Sequence, residues 1–113
     1  MQRIMCRAKL HRLTVTETNV NYEGSITLDA ALLKAADILP HEKVQVVNIS
    51  NGHRFETYAI EGISGEVCLN GAAARLATPG DLIIVICYTL IDEKEAKTLV
   101  PKIVHVDSHN KIK

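Results

Sequence analysis

The sequence contains no tryptophan and few aromatic residues of any kind. Among its 113 residues there are one phenylalanine and three tyrosines. Proteins that bind single-stranded nucleic acid commonly stack the bases on exposed aromatic rings, so this scarcity argues against such a binding surface. The hydrophobic core must therefore be aliphatic, and with 47% hydrophobic residues the chain has enough apolar side chains to build one.

An excess of charge of either sign is also missing, because 13 lysine and arginine residues balance 13 aspartate and glutamate residues. Nucleic-acid-binding domains and polybasic membrane anchors usually carry a basic excess, so neither nucleic acid nor a membrane is an expected partner. Met1–Arg7 lacks an apolar run of signal-peptide length. The longest apolar run, Leu82–Ile91, has about half the length of a membrane-spanning helix. We therefore expect a cytoplasmic protein.

Paired ligand spacings and cofactor-binding loops are absent as well. Cys6, Cys68 and Cys87 are far apart and form no CxxC pair, which predicts three reduced and mostly buried thiols. The five histidines are dispersed, and none lies in an HExxH motif. No GxGxxG or Walker loop is present, and no GxSxG motif indicates a hydrolase serine. These absences favour a protein with neither a metal site nor a pyridoxal phosphate site.

The chain is instead a series of short strand-like segments without repeats or linkers. A chain of this length typically forms one domain, so we expect residues 1–113 to fold as a single unit. Leu82–Thr89 is almost wholly apolar, which predicts burial on both faces. Such a series favours a small β-barrel decorated with helices. Strands are predicted at Met1–Val15, Ser25–Leu28, Val44–Ile49, Arg54–Ile60, Glu66–Leu69, Leu82–Thr89 and Lys102–Val106.

Two short helices are predicted between these strands. Asp29 can cap a helix over Ala30–Ala36, where alanine and leucine dominate, and Pro40 is expected to end it. Asp92–Glu95 has the spacing of a capping box and predicts a second helix that runs to Leu99.

Turns and loops are predicted from their residue types. Asn51-Gly52, between two strand-like segments, is the strongest hairpin signal, because both central residues must accept positive φ. Ala72–Leu76 has the composition of one or two helical turns. Glu17–Glu23 is predicted as a loop, and Asp107–Lys113 as a polar tail.

The segment Tyr22–Ser25 places a glycine directly before a serine. Such a pair is commonly a flexible turn that enters a strand. It also permits a chemical reaction, because glycine has no Cβ and its carbonyl can be approached closely. The serine hydroxyl can attack that carbonyl and move the acyl group from nitrogen to oxygen. Elimination across the resulting ester would break the chain and leave a ketone at the new N-terminus.

Four segments in order decide between these two interpretations: Lys9–Arg12, Tyr22–Ser25, Asn51–Ile60 and Asn70–Ala74, which read KLHR, YEGS, NGHRFETYAI and NGAAA. With them the chain resembles, over essentially its whole length, the bacterial pyruvoyl-dependent aspartate 1-decarboxylase family. Each motif alone is weak, but the four together in a chain of this length are specific.

The resemblance implies a mainly β fold, a six-stranded double-psi β-barrel with short flanking helices, in a homotetramer with active sites between subunits. It implies self-cleavage between Gly24 and Ser25 into a β chain of residues 1–24 and an α chain of residues 25–113. Ser25 would become a pyruvoyl group, with no metal and no pyridoxal phosphate. The implied reaction is decarboxylation of L-aspartate to β-alanine and CO₂ through a Schiff base, which supplies β-alanine for pantothenate and coenzyme A synthesis.

The residues themselves supply candidates for the substrate site. Arg54 is the expected carboxylate clamp, because a guanidinium meets a carboxylate in a bidentate fork. Lys9 and His11 are two apart and share one face of a strand, where they would complete an electropositive site. By resemblance, Tyr58 donates the proton after decarboxylation. Arg54 and Tyr58 are four apart, so on a strand they also share a face.

The remaining candidates serve processing or substrate contact. Thr57 lies on the opposite face from Arg54 in a regular strand, whereas the family assigns it to processing or substrate contact; that role would require a bulge, a twist or a site reached across a subunit boundary. Tyr22 is expected to line the pocket or to support processing. Asn70 could donate from its amide. By resemblance to the matching family segment, three small residues are expected to offer backbone N–H groups to the substrate: Gly71, Ala72 and Ala73.

Two positions depart from the family pattern. Ile26 follows Ser25 where many relatives carry a small residue or cysteine, and Val47 stands where tryptophan is frequent. The first bears on the rate of processing, and the second loosens the pocket wall. Two alternatives remain open: a non-catalytic β-barrel module that has lost processing, and a pyruvoyl decarboxylase specific for another amino acid.

Overall fold

The computed structural model describes residues 1–113 and has a mainly β architecture with short helices, as predicted. It contains eight strands, two α-helices and one 3-10 helix, whereas the expected barrel had six strands. In chain order the elements are β1 (Gln2–Thr14), β2 (Glu17–Asn19), β3 (Ser25–Asp29), α1 (Ala30–Ala36), β4 (Lys43–Asn48), β5 (Arg54–Gly62), β6 (Val67–Asn70), the 3-10 helix (Gly71–Leu76), β7 (Leu82–Asp92), α2 (Glu93–Ala96) and β8 (Lys102–His105).

The eight strands form one mixed sheet in the order β2-β6-β3-β5-β4-β7-β1-β8. The pairs β1–β7, β4–β7, β4–β5 and β3–β6 are antiparallel. The pairs β1–β8, β3–β5 and β2–β6 are parallel. Because this order departs from the order along the chain, residues far apart in sequence become neighbours. Ser25, for example, lies opposite Asn70.

The core is aliphatic, as the shortage of aromatic residues predicts. A single cluster of 20 buried residues includes Leu10 of β1, Ile26 of β3, Leu69 of β6 and Val85 of β7, all of them fully buried. Phe55, the one phenylalanine, packs against this cluster without being fully buried. Since strands from both halves of the sheet contribute to one cluster, the sheet curves around it.

The first helix has the predicted bounds, but the residue that ends it differs from the expected one. One carboxylate oxygen of Asp29 accepts from the Ala31 N–H at 2.8 Å, and the other accepts from the Gly65 N–H at 2.7 Å. The helix ends at Ala36, where Asp37 adopts a left-handed conformation with φ 54°. The expectation that Pro40 ends the helix is therefore wrong, because the left-handed residue has already turned the chain.

The predicted hairpin is present, but its turn differs from the expected one. β4 and β5 pair antiparallel, with Val47 opposite Arg54. Residues 49–53 connect them, and only Gly52 has positive φ, at 81°. The Asn51 side chain accepts from the His53 N–H at 2.9 Å and donates to the Leu76 carbonyl at 2.9 Å. The loop therefore contacts the end of the 3-10 helix.

Three other local predictions are wrong. β7 is buried at Ile83, Val85, Ile86 and Cys87, but within the predicted range Leu82 and Ile84 are only partly buried and Tyr88 is exposed, so the strand is not covered on both faces along its length. Helix α2 is a single turn, and Asp92 makes no side-chain capping bond. The predicted loop at Glu17–Glu23 contains the short strand β2.

The C-terminal segment packs onto the sheet and is more than a polar tail. Asn110 is buried. Its side chain accepts from the Thr14 N–H at 2.8 Å and donates to the carbonyls of Thr14 and Gly65 at 2.9 and 3.0 Å. Neither α-helix has the length and apolar character needed to cross a membrane.

Candidate active site

Ser25 is the first residue of β3 and is almost completely buried, with 1% of its surface exposed. Its hydroxyl donates to the Glu23 carbonyl at 2.9 Å. The same oxygen accepts from Nδ2 of Asn70 at 3.0 Å. Both bonds restrict where the hydroxyl oxygen can lie beside the preceding peptide bond, so the potential nucleophile is held in one position.

Asn70 lies at the end of β6, opposite Ser25, and its amide is fully bonded. Besides Ser25, Nδ2 donates to Oγ1 of Thr27 at 2.9 Å. Oδ1 accepts from the thiol of Cys68 at 3.2 Å. Sequence reasoning missed Thr27 and Cys68 in this cluster. Spacing could have identified both residues. Thr27 is two residues from Ser25, and Cys68 is two residues from Asn70, so each pair shares one face of its strand.

Gly24 is exposed and contacts the start of the 3-10 helix closely. Gly71 has φ 68°, and a Cβ on it would lie 2.6 Å from the Gly24 Cα and 2.8 Å from the Gly24 nitrogen. Contacts this short do not occur between real atoms, so only glycine fits at position 71 with the Gly24 backbone where it is. The small residue at position 71 was expected to admit a substrate; within one chain it admits the backbone of Gly24.

Several predicted residues share a cavity of about 310 Å³ next to Gly24. Its lining includes Gly24, Thr57, Asn70, Ala72 and Ala73. The pairing of β4 and β5 runs without a register shift through Thr57. Thr57 therefore reaches the cavity that Gly24 lines without the bulge or twist considered above. Tyr22 is exposed and lines a neighbouring cavity of about 280 Å³, together with Thr27 and Asn70.

Arg54 and Tyr58 lie on the other side of β5 from Thr57. Arg54 is exposed, and its Nη1 donates to Oε1 of Gln45 at 3.1 Å. The Tyr88 hydroxyl donates to the same oxygen at 2.7 Å. This side of the sheet thus presents a guanidinium held by a neutral acceptor. Arg54 forms no ion pair with a carboxylate of the chain, so its guanidinium is available to bind the carboxylate of a ligand.

Tyr58 is near Ser25 through the parallel pairing of β3 with β5. Ile26 pairs with Ala59, and both are fully buried in the core. One residue back along both strands, Ser25 lies level with Tyr58, and both point away from the core. Tyr58 is half-buried, so its hydroxyl group lies on a side of the sheet that solvent reaches.

Within one chain, Lys9 and Ser25 lie on strands that are four places apart in the sheet order. Lys9 of β1 pairs with Ile86 of β7, Ile86 pairs with Gln45 of β4, and Gln45 pairs with Glu56 of β5. Neighbouring strands are about 4.8 Å apart, so three spacings separate the backbones of Lys9 and Glu56 by roughly 14 Å along the sheet. Ser25 lies one strand further on, on β3.

His11 lies beside Lys9 on β1, and its ring stacks edge-on with His105 at a centroid distance of 5.6 Å. Both histidines line a cavity of about 290 Å³ with Arg12 and Lys113. Partial burial, followed by the charges of His105, Arg12 and Lys9, lowers the pKa of His11. His11 is therefore mostly neutral at pH 7 and does not add the positive charge expected of it.

One group of possible metal ligands lies near Asn70. The side-chain atoms of Glu17, Glu66 and Cys68 lie within 4.8 Å of one another. Burial, with the charges of Glu17 and Glu66, raises the pKa of the Cys68 thiol to about 11. A metal would bind the thiolate form of Cys68. Without a metal, the protonated thiol donates a hydrogen bond to Oδ1 of Asn70 at 3.2 Å.

Comparison with known proteins gives a consistent result. The family model described as aspartate decarboxylase matches residues 1–113. The chain is 58% identical over 113 residues to aspartate 1-decarboxylase of Thermoanaerobacter pseudethanolicus, covering 98% of this chain and 97% of that protein. It is 62% identical over 110 residues to aspartate 1-decarboxylase of Pelotomaculum thermopropionicum, covering 96% and 83%. The protein of the same name from Moorella thermoacetica is 58% identical over 114 residues, covering 99% and 89%.

Proposed function

Because this chain belongs to the aspartate decarboxylase family, we propose that it decarboxylates L-aspartate to β-alanine and CO₂ with a pyruvoyl group made from its own Ser25. The observation that carries the proposal is the buried Ser25 hydroxyl, bonded to Asn70 and Glu23 beside the Gly24–Ser25 peptide bond. The reaction would take place in the cytoplasm and supply β-alanine for pantothenate and coenzyme A.

Cleavage begins when the Ser25 hydroxyl oxygen attacks the Gly24 carbonyl carbon. A C–O bond forms, the C–N bond to the Ser25 nitrogen breaks, and the hydroxyl proton passes to that nitrogen. Loss of the Ser25 Cα proton then breaks the Cβ–O bond, and Gly24 leaves as a carboxylate. The N-terminal enamine becomes an imine, and water replaces its nitrogen by oxygen. One water is consumed and one ammonia is released for each chain cut into residues 1–24 and 25–113.

The surroundings of the Gly24–Ser25 bond fit this chemistry. Gly24 has no side chain to hinder attack, and no atom lies within 4 Å of where its Cβ would be. Thr57 lines the cavity beside Gly24 and can donate a hydrogen bond as negative charge develops on the carbonyl oxygen. Once formed, the pyruvoyl group supplies a ketone that captures the substrate amine and withdraws electrons as CO₂ leaves.

The chain's own residues would bind the substrate and move the proton. Arg54 is exposed and has no carboxylate partner, so it can form a bidentate pair with a substrate carboxylate. Lys9 adds a second positive charge. Tyr58, level with Ser25, would hold the proton that the carbanion takes up after decarboxylation. Ala72 and Ala73 line the cavity beside Gly24 and can offer backbone N–H groups.

The separation of Lys9 and Ser25 in the sheet order supports a site between subunits. Within one chain the strands β7, β4 and β5 separate β1 from β3. If Lys9 acts on the substrate that Ser25 captures, it must come from a neighbouring chain. This reasoning supports an oligomer with active sites at subunit boundaries, and the resemblance implies that the oligomer is a homotetramer.

A mixing experiment tests the shared site. We expect Lys9→Ala and Ser25→Ala chains each to be inactive, and mixed oligomers refolded from both to regain activity. In the mixture, some sites combine an intact Ser25 from one chain with an intact Lys9 from the other. Mixing Ser25→Ala with Asn70→Ala should restore nothing, because Asn70 and Ser25 act within one chain. Failure of the first mixture, with mixed oligomers demonstrated by mass spectrometry, would contradict the shared site.

The function itself is tested by mass and turnover. After warm incubation we expect two polypeptides, residues 1–24 and 25–113, the larger lighter by one ammonia than a fragment that begins with serine. The same sample should release CO₂ from aspartate and much less from glutamate. A single full-length species without turnover would favour a non-catalytic module. Preference for glutamate would favour a decarboxylase for another amino acid.

A further inference from the structure

The cleavage site contains a cysteine that the chemistry above does not use. Cys68, Asn70, Ser25 and Thr27 are all buried, with between 1% and 9% of their surface exposed. They form a continuous set of hydrogen bonds. The Cys68 thiol donates to Oδ1 of Asn70 at 3.2 Å, and Nδ2 of Asn70 donates to Ser25 and Thr27 at 3.0 and 2.9 Å.

The orientation of the Asn70 amide depends on these partners. The two ends of an amide have nearly the same shape, so hydrogen bonds decide which end faces Ser25. The Ser25 hydroxyl proton is already donated to Glu23. If the amide were turned around, its oxygen would face a hydroxyl oxygen that has no proton to give. The present orientation is bonded at both ends only because Cys68 supplies a donor to Oδ1.

We propose that Cys68 is a positioning residue for cleavage between Gly24 and Ser25, and that its thiol holds the Asn70 amide with its NH₂ group on the Ser25 oxygen. The proposal rests on the self-cleavage described above. Without the thiol, Oδ1 of Asn70 would be buried and unbonded, and the amide would be held in this orientation only by its bonds to Ser25 and Thr27. The nucleophile would then occupy its reactive position for less of the time.

The surroundings of Cys68 keep it a donor. The thiol is buried, and the carboxylates of Glu17 and Glu66 lie close to it. Both conditions oppose a thiolate and raise the pKa of the thiol to about 11, so the proton remains on sulfur at neutral pH. Thr27 completes the arrangement as a second acceptor for Nδ2, which draws the NH₂ end toward β3.

Three variants test the proposal by the rate at which full-length chain is cut. A hydrogen bond contributes about 1 kcal/mol net, so Cys68→Ala is expected to slow cleavage roughly five- to tenfold. Cys68→Ser keeps a donor at the same position and should restore the rate to within about twofold of the wild type. Cys87→Ala is the matched control. It removes a buried thiol from the core, where that thiol makes no hydrogen bond, and should cleave at the wild-type rate.

Rescue by serine separates positioning from packing. If Cys68 only filled space, the cleavage rate would depend on side-chain volume, and the donor that serine restores would not matter. Thermal unfolding of each uncleaved chain checks that all three fold. Equal cleavage by Cys68→Ala and wild type, or equal slowing by Cys68→Ser and Cys68→Ala, would overturn the proposal. A wild-type chain that is never cut would overturn the proposed function instead, so the two failures are distinguishable.

Discussion

Ser25→Ala is expected to leave the chain as a single polypeptide of full length and to reduce decarboxylation of aspartate to background. In the proposed cleavage the Ser25 hydroxyl takes over the Gly24 acyl group, and its Cβ–O bond is the one that elimination breaks. Alanine has neither. Intact mass spectrometry after prolonged warm incubation measures the first effect, and release of CO₂ from aspartate measures the second.

The fold should survive this change. Removing the hydroxyl leaves Asn70 bonded to Thr27 and Cys68, so the cost in stability is about that of one buried hydrogen bond, roughly 1–3 kcal/mol. Ser108→Ala is a suitable control, because Ser108 is exposed and lies away from Gly24. Cleavage or aspartate turnover by a folded Ser25→Ala chain would show that another residue carries the reaction.

Gly71→Ala is expected to slow cleavage by roughly 100-fold or more, because a shift of about 1 Å at a reacting centre can cost that much. The new methyl group would meet the Gly24 Cα at 2.6 Å and its nitrogen at 2.8 Å. Both are backbone atoms and cannot rotate away as a side chain would. Gly24 must move, and its carbonyl moves with it relative to the Ser25 hydroxyl. The measurement is the first-order rate at which the full-length chain disappears on a denaturing gel.

A control variant separates the effect of the collision with Gly24 from the effect of backbone strain. Gly80 also has positive φ, at 96°, but no atom lies within 4 Å of its Cβ position. Gly80→Ala therefore introduces comparable strain, about 1–2 kcal/mol, without a collision. It should lower thermal stability and leave cleavage unchanged. Equal cleavage rates for the two variants would contradict a role for the contact between Gly71 and Gly24.

Local patterns predicted the elements that local interactions stabilise. Helix α1 depends on the Asp29 cap and on a run of alanine and leucine, and the β4–β5 hairpin depends on a glycine at positive φ; both are present. The predictions failed where a distant partner decides the outcome. Asp92 has the spacing for a capping box but makes no side-chain bond there. Asn110, in a segment predicted as a polar tail, is buried because Thr14 and Gly65 bond its amide.

The sequence by itself determined that this is a mainly β, aliphatic-core protein, and its four ordered motifs identified the family and the candidate bond between Gly24 and Ser25. Only the tertiary structure decided which residues surround that bond. Cys68 and Asn70 reach Ser25 because β3 pairs with β6, more than 40 residues along the chain, and Lys9 is kept away because β7, β4 and β5 lie between. A strand's pattern specifies which face each side chain occupies, but strand order is set by packing of the whole core, and that order is not encoded in any one segment.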